Sequence, residues 1–360
     1  MTIVAHAHPF VIGVDTHART HTFAILAAAT GEPIATEQFP TTAAGMDRAI
    51  AWVARRTDGD LGALWVIEGV ATYGARLAAA VSRAGYEVVE AARMDARAHR
   101  GTGKSDSLDA HRIAAAVLSL EPRQLRRPRR DDGIRAALQI LATAREHMTT
   151  ERTATINALT ALLRVADLGV DARKPLTARQ VGEVARWRTR VEDLATATAR
   201  GEAVRLAKRV TDLDSELTAN QSRLTELIRD SKAAVLLDKI GIGPVTVAIV
   251  YAAWSHSGRV RSEAAFAALA GVNPIPASSG NTTRHRLNRG GDRRLNRALH
   301  MAVITRMTHD PDTRAYVERR RAEGRTTKEI RRCLKRYLAR QLYRTLEALH
   351  AVTDVDPQTA

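Results

Sequence analysis

Four carboxylate residues stand at positions where they could act together. Asp15 ends the apolar run VIGVD, Glu68 ends the apolar run WVIE, and Asp106 and Asp109 lie three residues apart in SDSLDA. A spacing of three places both aspartates on one face of a helix. An acid at the end of a buried strand is costly unless it is paired or binds a cation. Oxygen ligands select Mg²⁺ or Mn²⁺, and two such ions can activate a hydroxyl group and stabilise the departing oxygen of a phosphodiester.

The stretch around the two aspartates also permits other interpretations. GTGKS resembles the end of a phosphate-binding loop, but such a loop needs a first glycine where the sequence has Ala98, and a buried strand where it has the charged run ARMDARAH. Asp106 and Asp109 could instead be only acids favoured by the dipole at a helix N-terminus. The positions of Asp15 and Glu68 favour the metal site. Lys104 is then expected to approach a nucleic-acid backbone.

The sequence predicts an α/β domain over residues 1–125 that positions these acids. Three short runs rich in strand formers predict a β-meander: FVIGVDTH, HTFAILAA and EPIATEQFP. We expect a helix over residues 42–55 to follow, then a strand at ALWVIEG, a helix at TYGARLAAAVSRAG, a strand at YEVVEA and a helix capped by Ser105. Adjacent strand ends would bring Asp15 and Glu68 to one edge of the sheet.

Proline and arginine cluster in EPRQLRRPRRDD, residues 121–132, which predicts a domain boundary. A helical, coiled-coil assembly segment is predicted over residues 126–233. Two series of leucine and valine recur there at heptad spacing: Val210, Leu217 and Leu224 at one position, and Leu206, Leu213 and Leu227 at its partner. Asn220 is the polar break, and a buried Asn commonly fixes register or oligomer state. The alternatives are a hairpin or coiled coil with a helix within residues 134–163, or an ordinary amphipathic helix.

A third, mainly α-helical domain is predicted over residues 234–350, with a tail at 351–360. The run IGIGPVTVA, with Gly241 and Gly243, has the pattern of a helix-hairpin-helix. In that motif the glycines permit a tight turn whose N–H groups can hold a DNA phosphate. A purely structural glycine-rich turn is the alternative.

The charge of the chain predicts a polyanionic partner. The formal net charge is +16 and the pI is near 10.8. Residues 281–344 hold nineteen Lys or Arg against six Asp or Glu, too few acids to pair them all in a salt-bridged helix surface. With fourteen aromatic residues in the whole chain, phosphate contacts should outweigh base stacking. The candidate contacts are Arg284, Arg286, Arg289, Arg293, Arg294 and Arg297, and on a second helix face Arg331, Arg332, Lys335 and Arg336.

The single cysteine and the hydropathy of the chain indicate its cellular compartment. The lone Cys333 excludes an internal disulfide framework and a thiolate zinc cluster, which fits a reducing cytoplasm. The first residues lack the pattern of a signal peptide, and no run approaches the roughly 18 apolar residues of a membrane span. We expect a soluble, cytoplasmic protein.

The order of strand-ending Asp15, β-meander, strand-ending Glu68 and KSDSLDA resembles the RNase H-like, RuvC-type DEDD domain of insertion-sequence transposases of the one-ten family. The C-terminal run from IGIGPVTVAIV to FAALAGVNPIPASSGNTTRHRLNRGGDRRLNRALHMAV resembles the second domain of that family. The resemblance implies a prokaryotic, nucleoid-associated recombinase that excises and inserts its own element. Its DEDD set would be Asp15, Glu68, Asp106 and Asp109, holding Mg²⁺ or Mn²⁺.

The resemblance also implies a nucleophilic serine and several partners. The family serine stands before a glycine, which matches Ser279 and Gly280, with Ser278 beside it as the alternative. The implied partners are donor and target double-stranded DNA, a structured bridge RNA encoded by the element as guide, and further copies of the chain. Acids and serine would meet across protomers of a dimer or tetramer.

Two other functions compete with this interpretation. One is a metal-dependent nuclease of the Holliday-junction type, which would use the same acids to hydrolyse DNA with water and leave Ser279 without a role. The other is an architectural nucleic-acid-binding protein in which the carboxylates are only structural.

Overall fold

The N-terminal unit of the protein is built on a five-stranded sheet. The structure, a computed structural model, describes residues 2–91, 105–129, 133–278 and 285–351, and the chain divides into units 1–129 and 130–360. The first unit opens with a short helix α1 (Val4–Ala7) and contains strands β1 (Phe10–Thr16), β2 (Thr20–Ala27), β3 (Pro33–Pro40), β4 (Leu64–Ile67) and β5 (Glu87–Glu90). Their order is β3-β2-β1-β4-β5. The first three strands form the predicted antiparallel meander, whereas β4 and β5 run parallel to β1.

Helices cover both faces of this sheet. Helices α2 (Ala43–Arg56) and α3 (Ala75–Arg83) pack on one face and α4 (Asp106–Ala115) packs on the other. The central strand β1 explains this, because Ile12 and Val14 enter the first core whereas Val11 enters the second. A strand buried on both faces has an almost continuous apolar run. The mixed α/β character predicted for this part of the chain is therefore confirmed.

A glycine in β1 lets α4 lie directly on the sheet. A Cβ atom at Gly13 would stand 2.1 Å from the carbonyl oxygen of Ala110 and 2.6 Å from the nitrogen of Ala114. No side chain fits there, so the backbone of the helix approaches the backbone of the strand. This contact determines how closely α4 packs on the sheet.

The C-terminal unit is mostly helical, as predicted. Its helices are α5 (Gly133–Val165), α6 (Ala178–Ala185), α7 (Leu194–Arg229), α8 (Pro244–Trp254), α9 (Glu263–Leu269), α10 (Arg293–His309), α11 (Pro311–Ala322) and α12 (Thr327–Ala351). A short antiparallel pair, β6 (Pro274–Pro276) and β7 (His285–Leu287), lies between α9 and α10. One apolar core gathers α8, α9, α10 and α12 around Trp254 and Phe266. A second core joins α5, α6 and α7.

The two long helices α5 and α7 pack against each other within the chain. Asn220, the polar break in the heptad pattern, is buried and donates its Nδ2–H to the carbonyl oxygen of Leu141 on α5, at 3.1 Å. Arg145 of α5 donates to the carbonyl oxygen of Leu217, at 2.9 Å. The polar break therefore has partners on a helix of the same chain. A coiled coil between chains stays a prediction.

The glycine-rich run before α8 forms a tight turn. Gly241 has a positive φ of 79°, and a Cβ atom there would stand 2.6 Å from the carbonyl oxygen of Ala302 on α10. A 3₁₀ turn, Lys232–Leu236, precedes the glycines, and α8 begins after Gly243. Since a 3₁₀ turn stands where the motif has its first helix, the helix-hairpin-helix stays a prediction. Among the described residues, no helix is both long and apolar enough to cross a membrane.

Candidate metal centre

The end of β1 carries an aspartate and a histidine side by side. Asp15 is buried, with 6% of its surface exposed, whereas the side chain of His17 is half exposed. The Nε2 atom of His17 lies 3.1 Å from Oδ2 of Asp15 and 3.7 Å from Oδ1 of Asp106 on α4. One ligand atom from each of these three residues lies within 4.8 Å of the other two. A strand end and a helix start therefore meet around one point.

Glu68 lies beside Asp15 at the end of the neighbouring strand, outside the cluster of Asp15, His17 and Asp106. It follows the last residue of β4, and its backbone N–H donates to the carbonyl oxygen of Val14 at 3.0 Å, which extends the parallel pairing by one residue. The hydroxyl of Thr16 donates to the carbonyl oxygen of Glu68, also at 3.0 Å. The chain then turns sharply at Gly69, whose φ is 57°. Glu68 is thus fixed beside Asp15.

Partial burial and the neighbouring acids both raise the pKa of Glu68. Partial burial of its carboxyl raises the pKa, and the charge of Asp15, a hydrogen bond with Asp15 and the charge of Asp109 raise it further, whereas His17 lowers it. The charged form of Glu68 is therefore disfavoured when only protein groups surround it. A divalent cation at this point would remove that penalty, so these residues fit a hard cation such as Mg²⁺ or Mn²⁺.

The first turn of α4 supplies the remaining acids. Ser105 caps the helix as predicted, because its hydroxyl accepts a hydrogen bond from the N–H of Leu108 at 3.3 Å. Asp106 is exposed on the side of His17, whereas Asp109 is mostly buried and pairs with Arg112 at 3.1 Å. The four acids named from the sequence thus gather at one edge of the unit. Within the described residues, Asp109 is the member of the four that pairs with an arginine.

His17 is the residue of this centre that sequence reasoning missed. A signal was present, because residues two apart on a strand project from the same face. His17 stands two residues after Asp15 in VDTH, where its side chain continues the same face beyond the strand end.

Three of the residues named from the sequence lie outside the described part of the chain: Ser279, Lys104 and Arg284. Ser278 is described and is exposed after β6. The hairpin of β6 and β7 that brackets these serines is held at its base, where Asn288 donates to the side-chain oxygen of Asn273 at 2.6 Å. Asn296 of α10 donates to the carbonyl oxygen of Ala270 at 2.7 Å. Side-chain hydrogen bonds therefore fix the base of the β6–β7 pair.

The basic candidates divide into three groups, according to exposure and pairing with an acid. Arg286, Arg289, Arg293 and Arg332 are exposed. Arg294 and Arg297 of α10 both pair with Glu146 of α5, the latter at 2.7 Å. Arg331, Lys335 and Arg336 of α12 are partly buried, and burial together with the charge of Arg332 lowers the pKa of Lys335, whose Nζ donates to Asn296 at 3.1 Å. The exposed group is best placed for phosphate. Gly241 and Gly243 lie in the turn before α8.

Comparisons with known proteins agree with this arrangement. A DEDD transposase model of IS110 elements matches residues 12–166, which contain all four acids, and a model described as the transposase IS116/IS110/IS902 family matches residues 233–318. An acidic centre on an α/β unit, joined to this second region, defines a DNA transposase. The chain belongs to the IS110 family of insertion-sequence transposases.

Three proteins of insertion elements are similar to this chain in sequence. The 42 kDa protein of insertion element IS900 from Mycobacterium paratuberculosis is 27% identical, over 89% of this chain and 91% of its own length. The 44.8 kDa protein of IS116 from Streptomyces clavuligerus is 28% identical over 63% of this chain and 67% of its own. The 43.6 kDa protein of IS110 from Streptomyces coelicolor is 28% identical over 34% and 30%.

Proposed function

We propose that this transposase cuts and rejoins the DNA of its own insertion sequence at a metal site formed by Asp15, Glu68, Asp106 and Asp109. The observation that carries the proposal is the meeting of these acids at one edge of the sheet. An RNase H-like fold for the N-terminal unit is supported by the strand order, in which an antiparallel meander is followed by two parallel strands. A bound divalent cation would stabilise charge on the oxygens of a phosphodiester.

In the proposed reaction Ser279 is the nucleophile. Its Oγ atom forms a bond to phosphorus while the bond from phosphorus to one deoxyribose oxygen breaks, and the serine proton ends on that departing oxygen. The protein–DNA adduct is itself a phosphodiester, so the hydroxyl group of a second DNA end can displace the serine and reform a DNA strand. No nucleotide hydrolysis is needed. The family match and the Ser-Gly context support Ser279, and Ser278 is the alternative.

Double-stranded DNA, an element-encoded bridge RNA and further copies of the chain are the proposed partners. The exposed arginines of β7, α10 and α12 support contacts with nucleic-acid phosphates. The division into residues 1–125, 126–233 and 234–350 is part of the proposal, with α5 and α7 as the middle, assembly segment. Gly241 and Gly243 are proposed to receive a phosphate at the start of α8.

A search for the covalent adduct tests the mechanism. Full-length protein is incubated with labelled element-end DNA, Mg²⁺ and RNA transcribed from the element's flanks, and the products are separated on a denaturing gel. We expect an adduct that is lost in Ser279→Ala and Asp15→Asn but kept in Ser278→Ala. Thermal unfolding of each variant checks that it folds.

Each contrary result identifies a different error. DNA cleaved without an adduct, unaffected by Ser279→Ala but abolished by Asp15→Asn, would make the protein a hydrolytic nuclease of the Holliday-junction type. Loss of the adduct in Ser278→Ala alone would move the nucleophile by one residue. Full activity of Asp15→Asn would remove the metal site from the mechanism.

A further inference from the structure

We propose that His17 is a nitrogen ligand of the cation at this site, and that it makes the site prefer Mn²⁺ to Mg²⁺. The inference rests on the proposed function, because it concerns the same cation. It goes beyond the four acids, which offer only oxygen. The geometry around Nε2 of His17 carries it.

The distances at this point suit one octahedral ion. Ligand atoms at roughly 2.1 Å from an ion lie about 3 Å apart when adjacent and about 4.2 Å apart when opposite. Nε2 of His17 lies 3.1 Å from the nearer oxygen of Asp15 and 3.7 Å from that of Asp106, and all three atoms lie within 4.8 Å of one another. Small movements of two half-exposed side chains would place all three around one ion.

The backbone holds His17 in place. Its N–H donates to the carbonyl oxygen of Thr20 at 3.1 Å, which closes the turn between β1 and β2. Thr41 secures this turn, because its N–H donates to the carbonyl oxygen of Arg19 at 3.0 Å and its hydroxyl donates to that of Ala18 at 3.1 Å. Because the backbone of His17 is already fixed, only its side chain must be ordered when an ion binds.

The imidazole changes which cation the site prefers. Carboxylate oxygens suit Mg²⁺ and Mn²⁺ alike, whereas imidazole nitrogen favours first-row transition metals over Mg²⁺. A site of oxygen ligands alone would therefore show little preference. With His17 added, Mn²⁺ gains a bond that Mg²⁺ makes poorly.

Electron spin-echo spectroscopy of bound Mn²⁺ tests the inference, because it detects nitrogen bonded to the ion. The full-length wild type, His17→Gln and Asp15→Asn are each loaded with Mn²⁺. Affinity is measured from the free Mn²⁺ signal and, by competition, for Mg²⁺. Glutamine at position 17 keeps a hydrogen-bond donor near the carboxylates but removes the ring nitrogen. His147→Gln, at an exposed position of α5, is the matched control.

We expect nitrogen modulation in the wild type and in His147→Gln, and its loss in His17→Gln. His17→Gln should weaken Mn²⁺ binding about tenfold or more, the scale on which metal sites respond to loss of a supporting group, and weaken Mg²⁺ binding much less. Mn²⁺ bound without nitrogen modulation, yet lost in Asp15→Asn, would overturn the role of His17 and leave the proposed function standing. Mn²⁺ binding that Asp15→Asn does not weaken would overturn both.

Discussion

At the scale of single residues, the candidate metal centre holds carboxylates so close together that their negative charges repel each other. Asp15 is buried, and Glu68 is held beside it by the backbone pairing of β4 with β1. Burial and the neighbouring charges of Asp15 and Asp109 raise the pKa of Glu68. A divalent cation bound at this point would offset the repulsion.

The raised pKa of Glu68 predicts a pH-dependent stability. A carboxyl whose pKa is higher in the folded state stabilises the fold below its unfolded pKa, and this contribution is lost as the pH rises through the folded pKa. Without metal, wild type should therefore lose stability relative to Glu68→Gln as the pH rises above about 4.5, the ordinary value. Because Glu68 is largely exposed, the difference will be small.

Thermal unfolding of both proteins in chelator, from pH 4 to pH 8, measures this difference. Adding Mn²⁺ at pH 7 should reverse it in favour of wild type, since only the wild type has the full set of acids. A constant difference across the pH range would contradict the interpretation of Glu68.

At the scale of elements, the centre depends on the contact between β1 and α4. Both elements were predictable from the sequence, because the strand is a short run rich in strand formers and the helix has a Ser105 cap. Their closeness was not predicted, because it depends on Gly13 meeting the backbone of Ala110 across about 100 residues of sequence. His17 was missed because it lies just beyond the strand end, although its spacing of two from Asp15 continues the same face.

Gly13→Ala should disturb the metal centre without touching any of its ligands. The added methyl group would overlap the backbone of α4, which we expect to cost about 1–3 kcal/mol, as overpacking does in other cores, and to weaken Mn²⁺ binding. Gly182→Ala is the control, because Gly182 is inside α6 with open space around it, so alanine should stabilise by about 0.5–1 kcal/mol. Denaturant unfolding and Mn²⁺ titration measure both effects. Unchanged Mn²⁺ affinity in Gly13→Ala would contradict this account.

Asn220→Ala should destabilise the pairing of α5 with α7. It removes the buried hydrogen bond to Leu141 and the nearby partner of Arg145, so we expect a loss of about 1–3 kcal/mol. Because these partners are in the same chain, the molecular mass in solution should not change. Light scattering alongside denaturant unfolding measures both quantities. A change of mass at unchanged stability would instead make Asn220 a determinant of assembly.

At the scale of the whole molecule, a net charge of +16 dominates its interactions. The basic character of residues 281–344 was plain from composition, but which arginines are available was not. Glu146 pairs with Arg294 and Arg297 from about 150 positions away, which composition cannot show. Arg293, on the same helix, is exposed. The α/β character of the first unit and the helical character of the second could thus be predicted from local patterns, whereas long-range pairs could not.

Arg293→Ala and Glu146→Gln should change DNA binding in opposite directions. Removing an exposed phosphate contact should weaken binding and reduce the salt slope of the affinity by about one. Glu146→Gln removes the acidic partner of Arg294 and Arg297, so this variant should bind DNA more tightly at low salt. Fluorescence anisotropy with labelled duplex at several salt concentrations measures both. Equal affinities for wild type and Glu146→Gln would show that the two arginines do not reach DNA.

The four acids of the candidate metal centre come from two parts of the fold, the sheet and the helix α4 that packs over Gly13. Asp15 and Glu68 belong to the sheet, whereas Asp106 and Asp109 belong to one ten-residue helix. If α4 lifted away by itself, the acid set would be halved while every strand stayed paired. We therefore expect activity to have its own melting point, set by α4 and below that of the domain. Amide exchange in α4 would report how far below the domain's it lies.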